Sequence, residues 1–328
     1  MKKYGKRIMV VFTAMLIVVL AAGCSSSGKS SDKSDLKIGI IQYMDHVALD
    51  NSREGFIAAL ADNGYVDGDN ITIDLQNAQG DQSNLSTISD RFVSNKEDLI
   101  LAIATPATQA VAGKTTEIPI LATAVTDYES ARLVNSNEAP GGNVTGTSDM
   151  NPVKEQIDLL VKLVPTAKTV GVLYTSSEVN SVTQAQIAKK AIEALGLKYV
   201  EVTISNSNDV QQATQTLVGQ CDAIYIPTDN VLASAMPQVH SVTAQSKTPV
   251  ICGESSMLDG GGLATLGINY TDLGYQTGLM AVKILKGEAK PATMPIETAT
   301  KFDFKINGTI AEEIGLTIPA DLQQYVTK

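Results

Sequence analysis

The sequence predicts an α/β protein made of two similar lobes that are joined by hinge segments. Short runs rich in valine, isoleucine and leucine alternate with helical stretches along the chain, which is typical of parallel α/β sheets. The runs are continuously apolar rather than alternating, as expected for strands covered on both faces. The strand-and-helix pattern starts at Leu36 and again near Lys168. We therefore expect two Rossmann-like lobes with parallel sheets, and a single long doubly wound domain is the alternative.

The N-terminal segment has the features of a secretory signal peptide. A basic start precedes an apolar run at residues 8–22. The run has about 15 residues, whereas a helix that crosses a bilayer needs about 20. It ends at residues 20–24 in LAAGC, which resembles the bacterial lipobox except that Ala21 stands where leucine is usual. We expect a signal peptide at residues 1–23 and lipidation of Cys24, and ordinary secretion with an incidental cysteine is the alternative.

The rest of the chain divides into a tether and two lobes. Residues 24–35 are rich in serine and should form a flexible tether, because this tract lacks the apolar surface needed to fold. The remaining roughly 300 residues exceed what one hydrophobic core usually holds. We expect an N-terminal lobe at 36–146 plus about 268–290, and a C-terminal lobe at 147–267 plus about 291–328. Several strands crossing between the lobes would permit closure around a ligand.

The apolar runs and helical patterns give the individual elements. Strands are predicted at residues 36–42, 71–76, 99–104, 118–123, 169–174, 198–202, 223–226, 249–252, 262–267 and 298–306. Helices are predicted at residues 50–63, 83–94, 152–163, 181–195, 210–218 and 270–286. The first helix of each series ends at Gly64 or Gly196, which suits the left-handed position that often closes a helix.

Composition excludes several classes of function. The formal charge of −10 disfavours nucleic acid and anionic lipid as partners. Cys221 and Cys252 adjoin predicted strands and are expected to be buried free thiols. His46 and His240 are the only histidines, so no metal site is expected, and no cofactor is expected either. The glycine-rich segments match no phosphate-binding or dinucleotide motif, and no nucleophile motif is present, so we expect a protein that is not an enzyme.

Polar side chains follow many of the predicted strands. In parallel α/β sheets, ligands bind beyond the carboxyl ends of the strands, so the two lobes should present facing polar rims. The candidate ligand-binding residues are Gln42, Tyr43, His46, Thr105, Thr108, Gln109, Asp127, Ser148, Asp149, Tyr174, Glu178, Asn180, Asp229, Asn230 and Glu254.

Several stretches form an ordered set of motifs at residues 38–46, 104–110, 124–127, 146–149, 174–181, 226–230 and 266–270. Together they resemble substrate-binding proteins of ABC transporters with the type I periplasmic-binding-protein fold, in the tryptophan or aromatic amino-acid branch. The resemblance implies an extracytoplasmic importer component that works with an ABC permease and its ATPase. We expect a monomer held at the outer face of the cell membrane by its lipid anchor alone. Another carboxylated solute, a nucleoside, or a sensory role are the alternatives.

An amino-acid ligand needs partners for its two charged groups. Pro106 suits a first helical turn, and the free amides of such a turn favour an anion. Thr105 and Thr108 are therefore expected to hold the ligand carboxylate, with helix capping by Thr105 as the alternative. Asp229 is the first candidate for the ammonium group and could instead cap a helix; Glu178, Asp149 and Glu254 are its rivals. Tyr43, His46 and Tyr174 could line the side-chain pocket, and Tyr174 could instead belong to a lobe core.

Overall fold

A computed structural model describes residues 36–327, which form two α/β lobes. The strands are β1 (Leu36–Gln42), β2 (Ile71–Asn77), β3 (Leu99–Ile103), β4 (Ile120–Val125), β5 (Val144–Ser148), β6 (Thr169–Thr175), β7 (Lys198–Ile204), β8 (Ala223–Ile226), β9 (Val250–Cys252), β10 (Ala264–Gly267), β11 (Glu297–Thr298), β12 (Asp303–Asn307) and β13 (Val326–Thr327). The α-helices are α1 (Val47–Asp62), α2 (Gln82–Asn95), α3 (Thr105–Ala112), α4 (Val153–Leu163), α5 (Val179–Ala194), α6 (Val210–Val218), α7 (Asn230–Ser246), α8 (Tyr270–Leu285) and α9 (Gly308–Ile314). The predicted signal peptide, Cys24 and the tether lie outside the described residues.

Each lobe is built on one sheet. The first sheet has the order β11-β5-β4-β3-β1-β2, and all its pairs are parallel. The second sheet has the order β13-β12-β10-β9-β8-β6-β7, with one antiparallel pair between β10 and β12. The predicted fold class, with two α/β lobes and mainly parallel sheets, is confirmed.

Burial explains which strands are central. Every residue of β3, β4 and β8 is buried, because helices cover both faces of the sheet there. The edge strands β2 and β7 are only partly covered, and their sequences mix polar with apolar residues. Cys221 and Cys252 are both free, as predicted, but only Cys252 is buried and Cys221 is half-buried. Among residues 36–327, no helix combines the length and the apolar character that crossing a membrane requires.

The helix α8 follows β10 of the second sheet but packs in the first lobe against α1. Two glycines bring the helix backbones into direct contact. A Cβ atom on Gly274 would lie 1.9 Å from the Ser52 carbonyl oxygen, and one on Gly55 would lie 2.0 Å from the Thr271 carbonyl oxygen. Because no side chain fits at either position, α8 is held tightly against the first lobe.

The C-terminal segment differs from the sequence prediction. The strand predicted at residues 298–306 is divided into β11, which pairs with β5 in the first sheet, and β12, which pairs with β10 in the second. The intervening residues 299–302 carry the chain between the sheets and therefore cannot pair with either. The chain also crosses after β5 and after β10. The prediction that everything after about residue 291 belongs to the second lobe is therefore wrong for β11.

Candidate functional site

The carboxyl ends of the two sheets face each other and are joined by a hydrogen bond. His46, at the N-cap of α1, lies with Nε2 3.1 Å from Oδ1 of Asn230 at the start of α7. Tyr43 is buried near this contact, and its pKa is raised by burial and by the charges of Glu178 and Asp229 in the second lobe. The two polar rims therefore enclose a cleft.

On the first lobe, the turn from β3 into α3 is strained and leaves a hydroxyl unpaired. Ala104 has a φ of 84° at the N-cap, where it offers no side-chain cap. The alternative role of Thr105 as a helix cap is therefore wrong. Its hydroxyl is buried and has no hydrogen-bond partner, whereas the Thr108 hydroxyl donates to the Ala104 carbonyl. The Thr105 hydroxyl and the free amides of the first turn thus remain available for an anion.

On the second lobe, Asp229 is fully occupied by the protein. Its Oδ1 accepts hydrogen bonds from the Leu232 amide at 2.9 Å and the Thr175 hydroxyl at 2.8 Å. Its Oδ2 accepts from the Thr175 amide at 2.6 Å. Asp229 thus caps α7, the alternative role considered for it, and ties that helix to the end of β6.

Glu178 has a different environment, because only one of its oxygens is occupied. Oε2 accepts hydrogen bonds from Nδ2 of Asn180 at 3.0 Å and from Nδ2 of Asn230 at 2.6 Å. Oε1 is buried without a partner, and so is Oδ1 of Asn180. Burial, followed by the charge of Asp229, raises the pKa of Glu178 to about 8. A cation beside Oε1 would satisfy both free oxygens and relieve this electrostatic cost.

Two further buried carboxyl groups lie near the crossing segments. Asp149 accepts a hydrogen bond from the Tyr270 hydroxyl at 2.9 Å through Oδ2, while Oδ1 is unpaired, and burial raises its pKa. Both oxygens of Glu254 accept hydrogen bonds from Ser256. Burial raises the pKa of Glu254 to about 7. Asp149 therefore remains open to a ligand, and Glu254 serves the local turn.

Several other residues that the sequence predicts to bind the ligand form hydrogen bonds within their own lobes. Gln42 donates to Asp50 and accepts from Arg53 at the start of α1. Gln109 donates to the Ala131 carbonyl, Asp127 accepts from Ser130, and Ser148 donates to the Thr126 carbonyl. The structure does not bring Tyr174 to the rim. Its ring is half-buried against the second-lobe core and its hydroxyl bonds Glu201.

Sequence reasoning missed Asn151 and Ser255. Asn151 Oδ1 and the Ser255 hydroxyl oxygen are buried and have no partner. Asn151 lies two residues after Asp149, where the chain crosses between the sheets, and Ser255 directly follows Glu254 beyond the end of β9. Both positions lie within three residues of a strand end, so a wider search of the strand ends could have found them.

The unpaired polar atoms are concentrated at this cleft. Buried polar side chains in proteins are normally hydrogen-bonded, so a cluster of exceptions requires a missing partner. Among residues 36–327, most of the buried side-chain atoms without a partner belong to the rims and the crossing segment: His46 Nδ1, Thr105 Oγ1, Asp149 Oδ1, Asn151 Oδ1, Glu178 Oε1, Asn180 Oδ1 and Ser255 Oγ. None of the ion pairs in the described part of the chain involves the cleft carboxyl groups. The cleft therefore suits a small ligand that carries a cation.

Two lobes that close polar strand ends around a small solute define the class of extracytoplasmic solute-binding proteins. The family model for ABC transporter substrate-binding proteins matches residues 37–328, and the chain belongs to that family. It is thus a substrate-binding protein of an ABC transporter, as its motifs suggested, and the members of this family act outside the cytoplasm as solute binders.

Relatives with known names agree with this assignment. A tyrosine-binding protein from Clostridioides difficile (strain R20291) is 40% identical over 336 residues, which cover 99% of this chain and 97% of the relative. The ABC domain from Streptococcus pneumonia in complex with L-Trp is 40% identical, with a TM-score of 0.86 over 89% of this chain and 100% of that chain. A leucine-binding protein from Thermotoga maritima, 14% identical with a TM-score of 0.61, shares the fold alone.

A further relative bears on the arrangement of the lobes. The ligand-free, open structure of a substrate-binding protein with adhesive properties from Clostridium difficile is 46% identical and covers 89% of this chain and 99% of that chain. Its TM-score is only 0.69, although its identity is higher than that of the L-Trp complex. The lobes of the present structure are therefore arranged more like those of the ligand-bound relative.

The buried carboxyl groups predict how stability depends on pH. The raised pKa values, about 8 for Glu178 and about 7 for Glu254, mean that the folded chain retains protons that the unfolded chain has released. The free energy of unfolding therefore falls as the pH rises towards 8. His46 opposes this trend only below pH 6.5, because burial lowers its pKa from that value. We expect the melting temperature of the ligand-free protein to fall between about pH 6.5 and 8.

Calorimetry across this pH range checks the expectation. Glu178→Gln should flatten the slope, because the amide does not titrate. Glu117 is exposed and makes no side-chain ion pair among the described residues, so Glu117→Gln is the matched control and should keep the wild-type slope. If the melting temperature of Glu178→Gln falls with pH as steeply as that of the control, the raised pKa of Glu178 is contradicted.

Proposed function

We propose that the protein captures an aromatic L-amino acid in the cleft and delivers it to an ABC permease for import. The observation that carries the proposal is the cluster of unpaired buried polar atoms contributed by both lobes. Relatives named as tyrosine-binding or crystallised with L-Trp support the class of ligand. No step of this role changes the ligand, and we infer that the protein has no catalytic activity.

The proposed ligand is bound through both of its charged groups. The carboxylate lies at the N-terminus of α3, supported by the unpaired hydroxyl of Thr105 and the positive end of the helix. The ammonium group lies against Glu178 Oε1 and Asn180 Oδ1, which replace Asp229 as the first candidates because Asp229 is already occupied. The ring lies beside Tyr43 and His46.

The cellular setting is part of the proposal. Cys24 carries a lipid that holds the protein at the outer face of the cell membrane, and the serine-rich residues 24–35 serve as its tether. The protein acts as a monomer, with its permease and ATPase as partners. The lipobox-like residues 20–24 support this arrangement.

A thermal-shift screen tests the class of ligand. The ligand-free protein is heated with each of the twenty amino acids, nucleosides and simple sugars, and hits are titrated by calorimetry. A ligand at a hundred times its dissociation constant adds about 2.7 kcal/mol to the free energy of unfolding. A selective shift with aromatic amino acids supports the proposal, and shifts confined to other solutes reject it.

Replacing Thr105 separates ligand binding from stability. Thr105→Val removes a buried hydroxyl that has no partner, so we expect unchanged or slightly higher stability. We also expect the affinity for amino acids to fall by about 1.5–3 kcal/mol, the typical contribution of a hydrogen bond to a charged group. Thr108→Val, which removes an existing bond to Ala104, should lower stability instead. Loss of stability without loss of affinity in Thr105→Val would contradict the carboxylate site.

The lipid anchor is tested by cell fractionation. Cys24→Ala removes the only sulfur available in the lipobox-like stretch. We expect the variant protein in the soluble fraction and the wild type in the membrane fraction. Retention of the variant at the membrane would reject lipidation of Cys24, and Cys221→Ala is the control for an unrelated cysteine.

A further inference from the structure

The contact between His46 and Asn230 determines which nitrogen of the histidine carries the proton. The Asn230 amide is oriented by Glu178, whose Oε2 lies 2.6 Å from Asn230 Nδ2. This oxygen also accepts from Asn180 Nδ2 at 3.0 Å, so it acts as an acceptor and must face a donor. Oδ1 of Asn230 therefore faces His46, and His46 Nε2 at 3.1 Å must donate to it.

The other ring nitrogen of His46 is consequently an acceptor. Burial lowers the pKa of His46, so the ring is neutral and Nδ1 carries a lone pair. Nδ1 is buried and has no partner, although His46 as a whole residue is only half-buried. A lone pair fixed in this way requires a donor from the occupant of the cleft.

The position of His46 limits which part of the ligand can reach it. His46 and Thr105 follow β1 and β3, which are neighbouring strands in the first sheet, about 5 Å apart. With the carboxylate at Thr105 and the ammonium at Glu178, the side chain is the part of an amino acid left to lie beside His46. Because the proposal assigns the ammonium group to Glu178 Oε1 and Asn180 Oδ1, we assign the donor for His46 Nδ1 to the ring.

We propose that His46 is a specificity-determining residue whose Nδ1 accepts a hydrogen bond from a donor on the aromatic ring of the ligand. This inference rests on the proposed function. The phenol O–H of tyrosine and the indole N–H of tryptophan can supply the donor, whereas phenylalanine cannot. With phenylalanine bound, Nδ1 stays buried and unpaired, and sites built for a ligand hydrogen bond reject analogues that lack it.

Calorimetric titration of the purified protein, freed of bound amino acid by unfolding and refolding, tests the inference. The probes are L-tyrosine, L-phenylalanine, L-tryptophan and 1-methyl-L-tryptophan, which lacks the indole donor. We expect tyrosine to bind at least tenfold more tightly than phenylalanine, and tryptophan at least tenfold more tightly than its methylated analogue. His46→Phe should reduce both ratios to about one.

A control variant separates the role of His46 Nδ1 as an acceptor from the role of His46 Nε2 in the contact between the lobes. Asn230→Ala also breaks the bond between the lobes but leaves Nδ1 in place, so it should weaken all the probes while keeping the ratios above one. Equal binding of tyrosine and phenylalanine by the wild type, or wild-type ratios in His46→Phe, would overturn this inference alone. Failure of every aromatic probe to bind the wild type would overturn the proposed function as well.

Discussion

Glu178→Gln is expected to lower the affinity for an amino-acid ligand by two to three orders of magnitude. The wild-type carboxylate is fully buried, and its free oxygen has no cation among the described residues. A bound ammonium group forms a buried ion pair there, and removing one partner of such a pair costs about 3–5 kcal/mol. Glutamine keeps the size of the side chain, so the loss of affinity is caused by the missing charge rather than by altered packing. Titration calorimetry with L-tyrosine and L-tryptophan measures the effect.

Two isosteric variants distinguish Glu178 from its rivals. Asp229→Asn should chiefly lower the melting temperature, because an amide nitrogen would face the donors that now cap α7. Asp149→Asn keeps an acceptor for Tyr270 and tests the other carboxylate with a free oxygen. If Asp149→Asn loses affinity while Glu178→Gln retains it, the ammonium group lies at the crossing segment instead.

Gly274→Ala should produce a large loss of stability in the first lobe. The added Cβ would lie 1.9 Å from the Ser52 carbonyl oxygen. This oxygen belongs to the backbone of α1, so no side-chain rotation relieves the overlap and the helices must separate. Overpacking of this kind typically costs about 1–3 kcal/mol, and the gain in helix propensity of about 1 kcal/mol offsets only part of it. Chemical denaturation measures the free energy of unfolding.

Gly142 provides the matched control, because an added Cβ there has no heavy atom within 4 Å. Gly142→Ala should leave the free energy of unfolding within about 0.5 kcal/mol of the wild type. Equal stability of Gly274→Ala and Gly142→Ala would show that α1 and α8 do not need their close approach.

The sequence predicts the strands well where burial is complete. The apolar runs of β3 and β8 are continuous, and hydrophobic burial on both faces leaves few other structures for them. The prediction of a single strand at residues 298–306 is wrong for a physical reason. Apolar content indicates an extended chain but carries no information about which sheet a residue joins, and the chain changes sheets at residues 299–302.

The candidate site is predictable at the level of strand ends but not at the level of atoms. Both Glu178 and Asp229 follow strands of the second sheet, and the sequence alone makes Asp229 the first candidate for the ammonium group and Glu178 a rival. Their difference arises because Thr175 and the first turn of α7 occupy both oxygens of Asp229. Likewise, the unpaired hydroxyl of Thr105 follows from the φ of 84° at Ala104, which no residue pattern indicates.

The passage of the chain between the sheets also has a consequence for the order of synthesis. The first sheet lacks its edge strand β11, and α1 lacks its partner α8, until residue 298 has been made. A growing polypeptide thus cannot finish its first lobe while the second is being translated, although domains usually fold as units from the N-terminus. Contacts of such long sequence separation also form slowly. The nascent chain therefore stays incompletely folded until nearly all of it is available.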